Sequence, residues 1–162
     1  MPEQPLTPSD SSFGASLSRE RITQALTRGA ARMMTELGFA SLTEFTLRSG
    51  RRADLIGLDP KGRIAIVEVK SSLEDYRSDS KWPDYRDYCD RLFFATLEDV
   101  PEAIFPPDCG FIRADTHGAA LLRDAPEHRL AAARRKAVTL RIAQAASQRL
   151  YAAELAGIDL PE

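Results

Sequence analysis

The sequence predicts a mixed α/β sheet flanked by helices, and three observations point there. Apolar residues recur at helical spacing in one segment near each end of the chain, the region between breaks into runs of strand length, and one run, RIAIVEVK, is so apolar that both faces of its strand must be covered. With 162 residues and 43% hydrophobic content, the chain suits one domain with its own core. The expected organisation is a disordered, Pro-, Ser- and Thr-rich tail over 1–15 and a single domain over 16–162.

Ile22, Leu26, Ala30, Met33 and Leu37 mark an N-terminal helix over about 18–37, with Gly38 as its stop. TEFTLR (43–48) alternates Phe45 and Leu47 with polar neighbours, as a half-buried strand does, and SGRR turns the chain. ADLIGL (53–58) is the second strand, DPKG a turn, and RIAIVEVK (63–70) the third strand. A polar segment follows to about Asp79, then KWPDYRDYCD, where Pro83 suits a first helical turn. Strands are expected at 91–96, 110–115 and 119–123, a short helix around 98–104, and a long Ala- and Arg-rich helix over about 130–156.

No apolar run is long enough to cross a bilayer and the N-terminus lacks a signal-peptide pattern, so no membrane association and a cytoplasmic, nucleoid-associated location are expected. Cys89 and Cys109 are too few for a disulfide framework, and with His117 and His128 their spacing is too irregular for zinc. The formal net charge of −2 divides unevenly, −5 over 1–127 and +3 over 128–162. Arg129 to Ala153 contains no acidic residue, which makes the last helix a basic element on an acidic protein.

Asp54, Glu68 and Lys70 are ionisable residues set in otherwise apolar strands. Side chains two apart on a strand share a face, so Glu68 and Lys70 lie with Ile64 and Ile66, and Asp54 lies with Ile56 and Leu58. If the loop is Pro60 to Gly62, paired residue numbers sum to 122 and Asp54 faces Glu68; a loop one residue shorter or longer turns Asp54 to the wrong face. Two carboxylates close together in a poorly solvated place repel, and a divalent cation, Mg²⁺ or Mn²⁺, is the economical remedy. Lys70 alongside can orient water as a base would, or stabilise charge on a phosphate. The competing reading is a Lys70–Glu68 ion pair at a strand end, with Asp54 bonding the local backbone.

Asp54 followed by Glu68-Val69-Lys70, behind a helix and a strand, resembles the PD-(D/E)XK nuclease superfamily, with Ala53 where the superfamily has proline. The narrower pattern FTLRSGRRADLIGL, IVEVKSS, KWPDYRDYCDRLFFA and APEHRLAAARRKAVTLR resembles the MmcB-like family of bacterial DNA-repair-associated proteins, from about Arg19 onward. The resemblance implies a restriction-endonuclease-like core, a role in DNA repair, and Asp54 and Glu68 as metal ligands with a catalytic Lys70. It also implies a further Glu ligand, for which Glu20, Glu36 and Glu44 are candidates and Glu44 is preferred. Arg51, Arg52, Lys81, Tyr88, Arg134, Arg135 and Lys136 are the candidate DNA contacts; Tyr85 is a further cleft candidate and Trp82 reads as packing. The expected activity is Mg²⁺-dependent DNA endonuclease, with DNA and another repair protein as partners. The alternative is a nuclease-like fold that binds DNA or a repair partner without turnover. The sequence leaves the oligomeric state open.

Overall fold

The computed structural model describes residues 11–115 and 117–160. Helix α1 (Ser11–Glu36) leads into β1 (Ala40–Thr46), β2 (Arg52–Leu58) and β3 (Ile64–Lys70). A short α2 (Leu73–Ser78) and a 3-10 helix (Trp82–Tyr88) connect to β4 (Arg91–Thr96), and a 3-10 turn (Glu102–Ile104) leads to β5 (Gly110–Ala114). β6 (Ala119–Arg123) and α3 (Ala132–Leu155) complete the chain. The six strands lie side by side in sequence order; β3, β4 and β5 run parallel and the other neighbours antiparallel. This is the mixed sheet flanked by helices that the sequence predicts.

α1 begins at Ser11, not near 18, so residues 11–15 of the expected tail are helical; 1–10 lie outside the described residues. No proline lies between Pro8 and Pro60, so none in SSFGASLSRE stops the helix from propagating back from its packed turns. Its other end closes at Gly38, whose φ of 87° lets the Phe39 N–H reach Met34 O at 2.9 Å.

The two faces of the sheet carry separate cores. Leu26, Ala30, Met33 and Met34 of α1 pack on Leu55, Val67, Val69, Phe93 and Ile112. On the other face Ile56, Ile64, Ile66, Leu92, Phe94 and Phe111 are covered by Tyr85, Phe105, and Val138 and Ile142 of α3. β3 is buried along its whole length, as its composition requires.

The β2–β3 hairpin has the three-residue loop, and its pairs Leu55↔Val67 to Leu58↔Ile64 sum to 122. Asp59 fixes that register: Oδ1 accepts from the N–H groups of Lys61 and Arg63 at 2.9 and 2.8 Å, while Gly62 takes a φ of 78°.

Candidate metal and active site

The β2–β3 backbone ladder ends at Leu55↔Val67, although β3 continues in register with β4 to Lys70↔Thr96. Beyond that point side chains replace the missing rung. The Asp54 N–H donates to Glu68 Oε1 at 3.3 Å, and the Val69 N–H donates to Asp54 Oδ2 at 2.8 Å. Each carboxylate therefore has one oxygen on a backbone N–H of the opposite strand. β2 peels from β3 at Asp54, and the two acids sit in the gap.

Lys70 Nζ lies 3.9 Å from Glu68 Oε2 and donates at 2.6 Å to Asp79 Oδ2. Glu68 and Lys70 are buried at 4% and 6% exposure, so Asp79 and not Glu68 is the main counter-charge of the lysine. The electrostatics follow from that division. Burial, then the charge of Asp54, push the Glu68 carboxyl up to about 8; Lys70 opposes this only in part. Burial also raises Asp54, against the lowering effect of the Val69 N–H. Burial alone would lower the Lys70 ammonium, but the hydrogen bond and charge of Asp79 outweigh it and hold the pKa above the ordinary lysine value. The lysine stays charged, which suits a stabiliser of developing negative charge rather than a general base.

Asp79 was not legible in the sequence as a site residue, and neither was the helix before it. The polar segment after Lys70 holds α2, opened by a capping box in which the Asp75 N–H donates to Ser72 Oγ at 3.1 Å and the Ser71 N–H donates to Asp75 Oδ2 at 2.9 Å. The Ser-x-x-Asp spacing was the available signal. This helix turns the chain so that Asp79 meets Lys70.

The expected additional Glu does not join the pair. In the β1–β2 register, between Thr43↔Leu55 and Phe45↔Ala53, Glu44 stands opposite Asp54. Its backbone is left-handed, φ 47°, and its exposed side chain reaches only Arg52, at 4.0 Å. Glu20 and Glu36 are exposed on α1, which packs on the sheet face of Leu55 and Val67, opposite to the face that carries Glu68 and Lys70. Among the described residues no group of three or more Asp, Glu, His or Cys side chains is gathered as a metal site. The donor set nonetheless fits a hard cation that needs one or two carboxylates and fills its other positions with water and phosphate oxygens, because buried Glu68 and half-buried Asp54 have raised pKa values that Lys70 offsets only in part.

The candidate DNA contacts scatter. Arg51 pairs with Asp84 at 2.7 Å, Arg52 and Lys81 are exposed, and the guanidinium of Arg134 stacks 4.9 Å from the ring centre of Tyr88. Tyr85 is buried, and its hydroxyl donates to Arg52 O at 2.9 Å. Arg135 is an anchor rather than a surface contact: it bonds both carboxylate oxygens of Asp90 at 2.6 Å and Gly62 O at 2.7 Å. Arg141 and Arg149 likewise donate to carbonyls of β1, so part of the basic run fastens α3 to the sheet. Lys136 is exposed.

An antiparallel three-stranded start whose third strand passes into a parallel sheet, with Asp on the second strand and Glu-x-Lys closing the third, defines a restriction-endonuclease-like core. The model of the family described as "DNA repair protein MmcB-like" matches residues 12–157, and the chain belongs to that family. A solved protein of unknown function from Silicibacter pomeroyi is 42% identical, with a TM-score of 0.76 over 82% of this chain and 90% of that one. A repair endonuclease from Pyrococcus abyssi is 20% identical over 61% of this chain and 42% of that one, with a TM-score of 0.32, too slight a likeness to carry an activity across. No curated protein is similar enough to match. Among the described residues no helix is long and apolar enough to cross a membrane.

Proposed function

We propose that this DNA repair family member is a Mg²⁺- or Mn²⁺-dependent deoxyribonuclease that hydrolyses phosphodiester bonds. The observation that carries this reading is the pair of half-buried Asp54 and buried Glu68 at the point where β2 leaves β3, only partly compensated because Asp79 occupies Lys70. Asp54 and Glu68 would hold the cation, which when bound supplies Lewis-acid polarisation of the phosphate and an activated water. Lys70 places a permanent positive charge beside them, where it stabilises charge building up on the scissile phosphate. Asp79 positions the ammonium. The exposed cations Arg52, Lys81 and Arg134 would supply separate phosphate contacts, Arg134 beside a cavity of about 420 Å³ that Arg48, Tyr88 and Arg141 also line.

The test is cleavage of linear, nicked, branched and single-stranded DNA by purified protein with Mg²⁺ or Mn²⁺. Lys70→Ala should reduce the rate by about 10²–10³ while metal-induced thermal stabilisation persists. A second reading, a DNA- or partner-binding module without turnover, is favoured by the short Lys70–Asp79 pair and by Glu44 standing apart from the acids. It replaces the first if no substrate is cut and the Lys70→Ala protein still supports survival of DNA damage.

A further inference from the structure

The outward face of α3 has a regularity that the site does not use. Val138 and Ile142 bury the inner face, and on the opposite side Lys136, Leu140, Ala143, Ser147, Leu150 and Glu154 are all exposed. Their spacing, alternately four and three residues, is the seam of a coiled-coil heptad. Leu140 and Leu150 are 56% and 50% exposed, and Tyr151 and Leu155 beside them 61% and 72%, which is a large apolar outlay for one helix. The Ser147 hydroxyl donates to Ala143 O at 2.9 Å and so offers no donor to a partner.

We infer that this stripe pairs with the same stripe of a second copy, as an antiparallel helix dimer whose two-fold axis passes near Ala145. The sequence is self-complementary about that point. Lys136 then meets Glu154 of the second copy, Leu140 meets Leu150, and Ala143 meets Ser147, with every contact repeated by symmetry. The small pair at the centre lets the backbones approach, the leucines close each side, and opposite charges end the seam. Along the flank Tyr151 falls against Ala137, large on small. A parallel pairing would instead stack Lys136 on Lys136 and Glu154 on Glu154, so the charges select the antiparallel arrangement. A single helix pair is a modest interface, and the dimer should form reversibly in the micromolar range. This inference is independent of whether Asp54 and Glu68 support catalysis.

Sedimentation equilibrium of the full chain over a wide concentration range tests it. Wild type should show a monomer–dimer equilibrium. Lys136→Glu and Glu154→Lys should each weaken it by about tenfold, and the double exchange should recover most of the loss. Leu140→Asp combined with Leu150→Asp should give monomer with an unchanged circular dichroism melt, since both side chains are exposed. Ala143→Cys with Ser147→Cys should form a disulfide-linked dimer on oxidation more readily than either single variant; Cys89 and Cys109 are buried and should not compete. A wild type that stays monomeric at every concentration overturns the proposal. So does a dimer indifferent to the leucine substitutions or one whose charge exchange does not recover, and single-cysteine variants that cross-link better than the double refute the antiparallel register.

Discussion

Replacing Glu68 with Gln should remove most of the pH dependence of stability that the metal-free protein shows around neutrality. The Glu68 carboxyl titrates near about 8 when folded, against an ordinary value of 4.5, because burial and the charge of Asp54 disfavour its ionisation. A group raised in the folded state binds more protons folded than unfolded, so its contribution is full below the unfolded value and is lost as pH rises through the folded one. Over the window between pH 4.5 and about 8 the slope approaches about 1.4 kcal/mol per pH unit, and the whole effect is on the order of 5 kcal/mol. Asp54, raised as well, adds a loss of the same sign that Glu68→Gln retains in part, and the remaining shifted acids do not mask the effect. Asp59, Asp79 and Asp90 are lowered, so the stability they give is complete before this window opens, and the raised Lys70 loses its contribution only in the alkaline range. Urea denaturation in EDTA at a series of pH values measures the slope directly. Wild type should lose stability across the window, Glu68→Gln should show a much shallower slope, the remainder coming from Asp54, and at the alkaline end the variant should be the more stable protein. Millimolar Mg²⁺ should stabilise wild type increasingly with pH, because the cation takes the ionised pair. Equal slopes in the two proteins, or a wild type that gains stability with pH, would refute the claim that Glu68 lacks compensation.

Two other outcomes follow from the ionic contacts of Asp79 and Asp90. Asp79→Asn should leave metal-induced stabilisation intact, lower DNA cleavage by about tenfold, and move the alkaline limb of the pH–rate profile downward, since the lysine loses the partner that holds its pKa up. A pH–rate profile unchanged from wild type would remove Asp79 from the site. Asp90→Asn should destabilise the fold by about 3 kcal/mol in urea melts, because a carboxylate at 1% exposure accepts from Arg135, Ile64 and Leu130; part of the loss should return in combination with Arg135→Met. The Lys70→Ala and dimer experiments above complete the set, and neither depends on the other.

The parts that could be read from the sequence are those in which local pattern and tertiary demand coincide. The DPKG loop and the alternation around it are enough to set the hairpin register, since a slip by one residue would turn Ile56 and Asp54 to the opposite face of the sheet from Ile66 and Glu68. The stripe from Leu26 to Met33 on α1 is buried as its period predicts. Glu44 misled because alternation assumes a regular strand, and a left-handed residue breaks the parity without leaving a signal in the sequence. Glu20 and Glu36, the less preferred candidates, stand apart from the acids for another reason. A helical wheel gives the face a helix buries, but not the face of the sheet it buries that on. The basic run of α3 read as an open surface because the Asp90 carboxylate and the β1 carbonyls that engage Arg135, Arg141 and Arg149 are remote in sequence.

The acids enclosed by this fold divide on physical grounds into those the chain satisfies and those it does not. Asp59 and Asp90 are as inaccessible as Glu68, yet both are held below the ordinary carboxylate value: burial would raise them, but Arg63 and two N–H groups outweigh it at Asp59, and Arg135 with the N–H groups of Ile64 and Leu130 does so at Asp90. Their charges are satisfied within the fold, and each fixes something, the hairpin loop in one case and the docking of α3 in the other. At Asp54 and Glu68 the same chain leaves the balance reversed. One oxygen of each meets a backbone N–H, the nearest cation is committed at 2.6 Å to Asp79, and both pKa values move upward. If Glu68 served to neutralise Lys70, as an ion pair at a strand end would, its pKa would fall like those of Asp59 and Asp90. That contrast between satisfied acids and a partly satisfied adjacent pair is what supports the proposed cation site at Asp54 and Glu68.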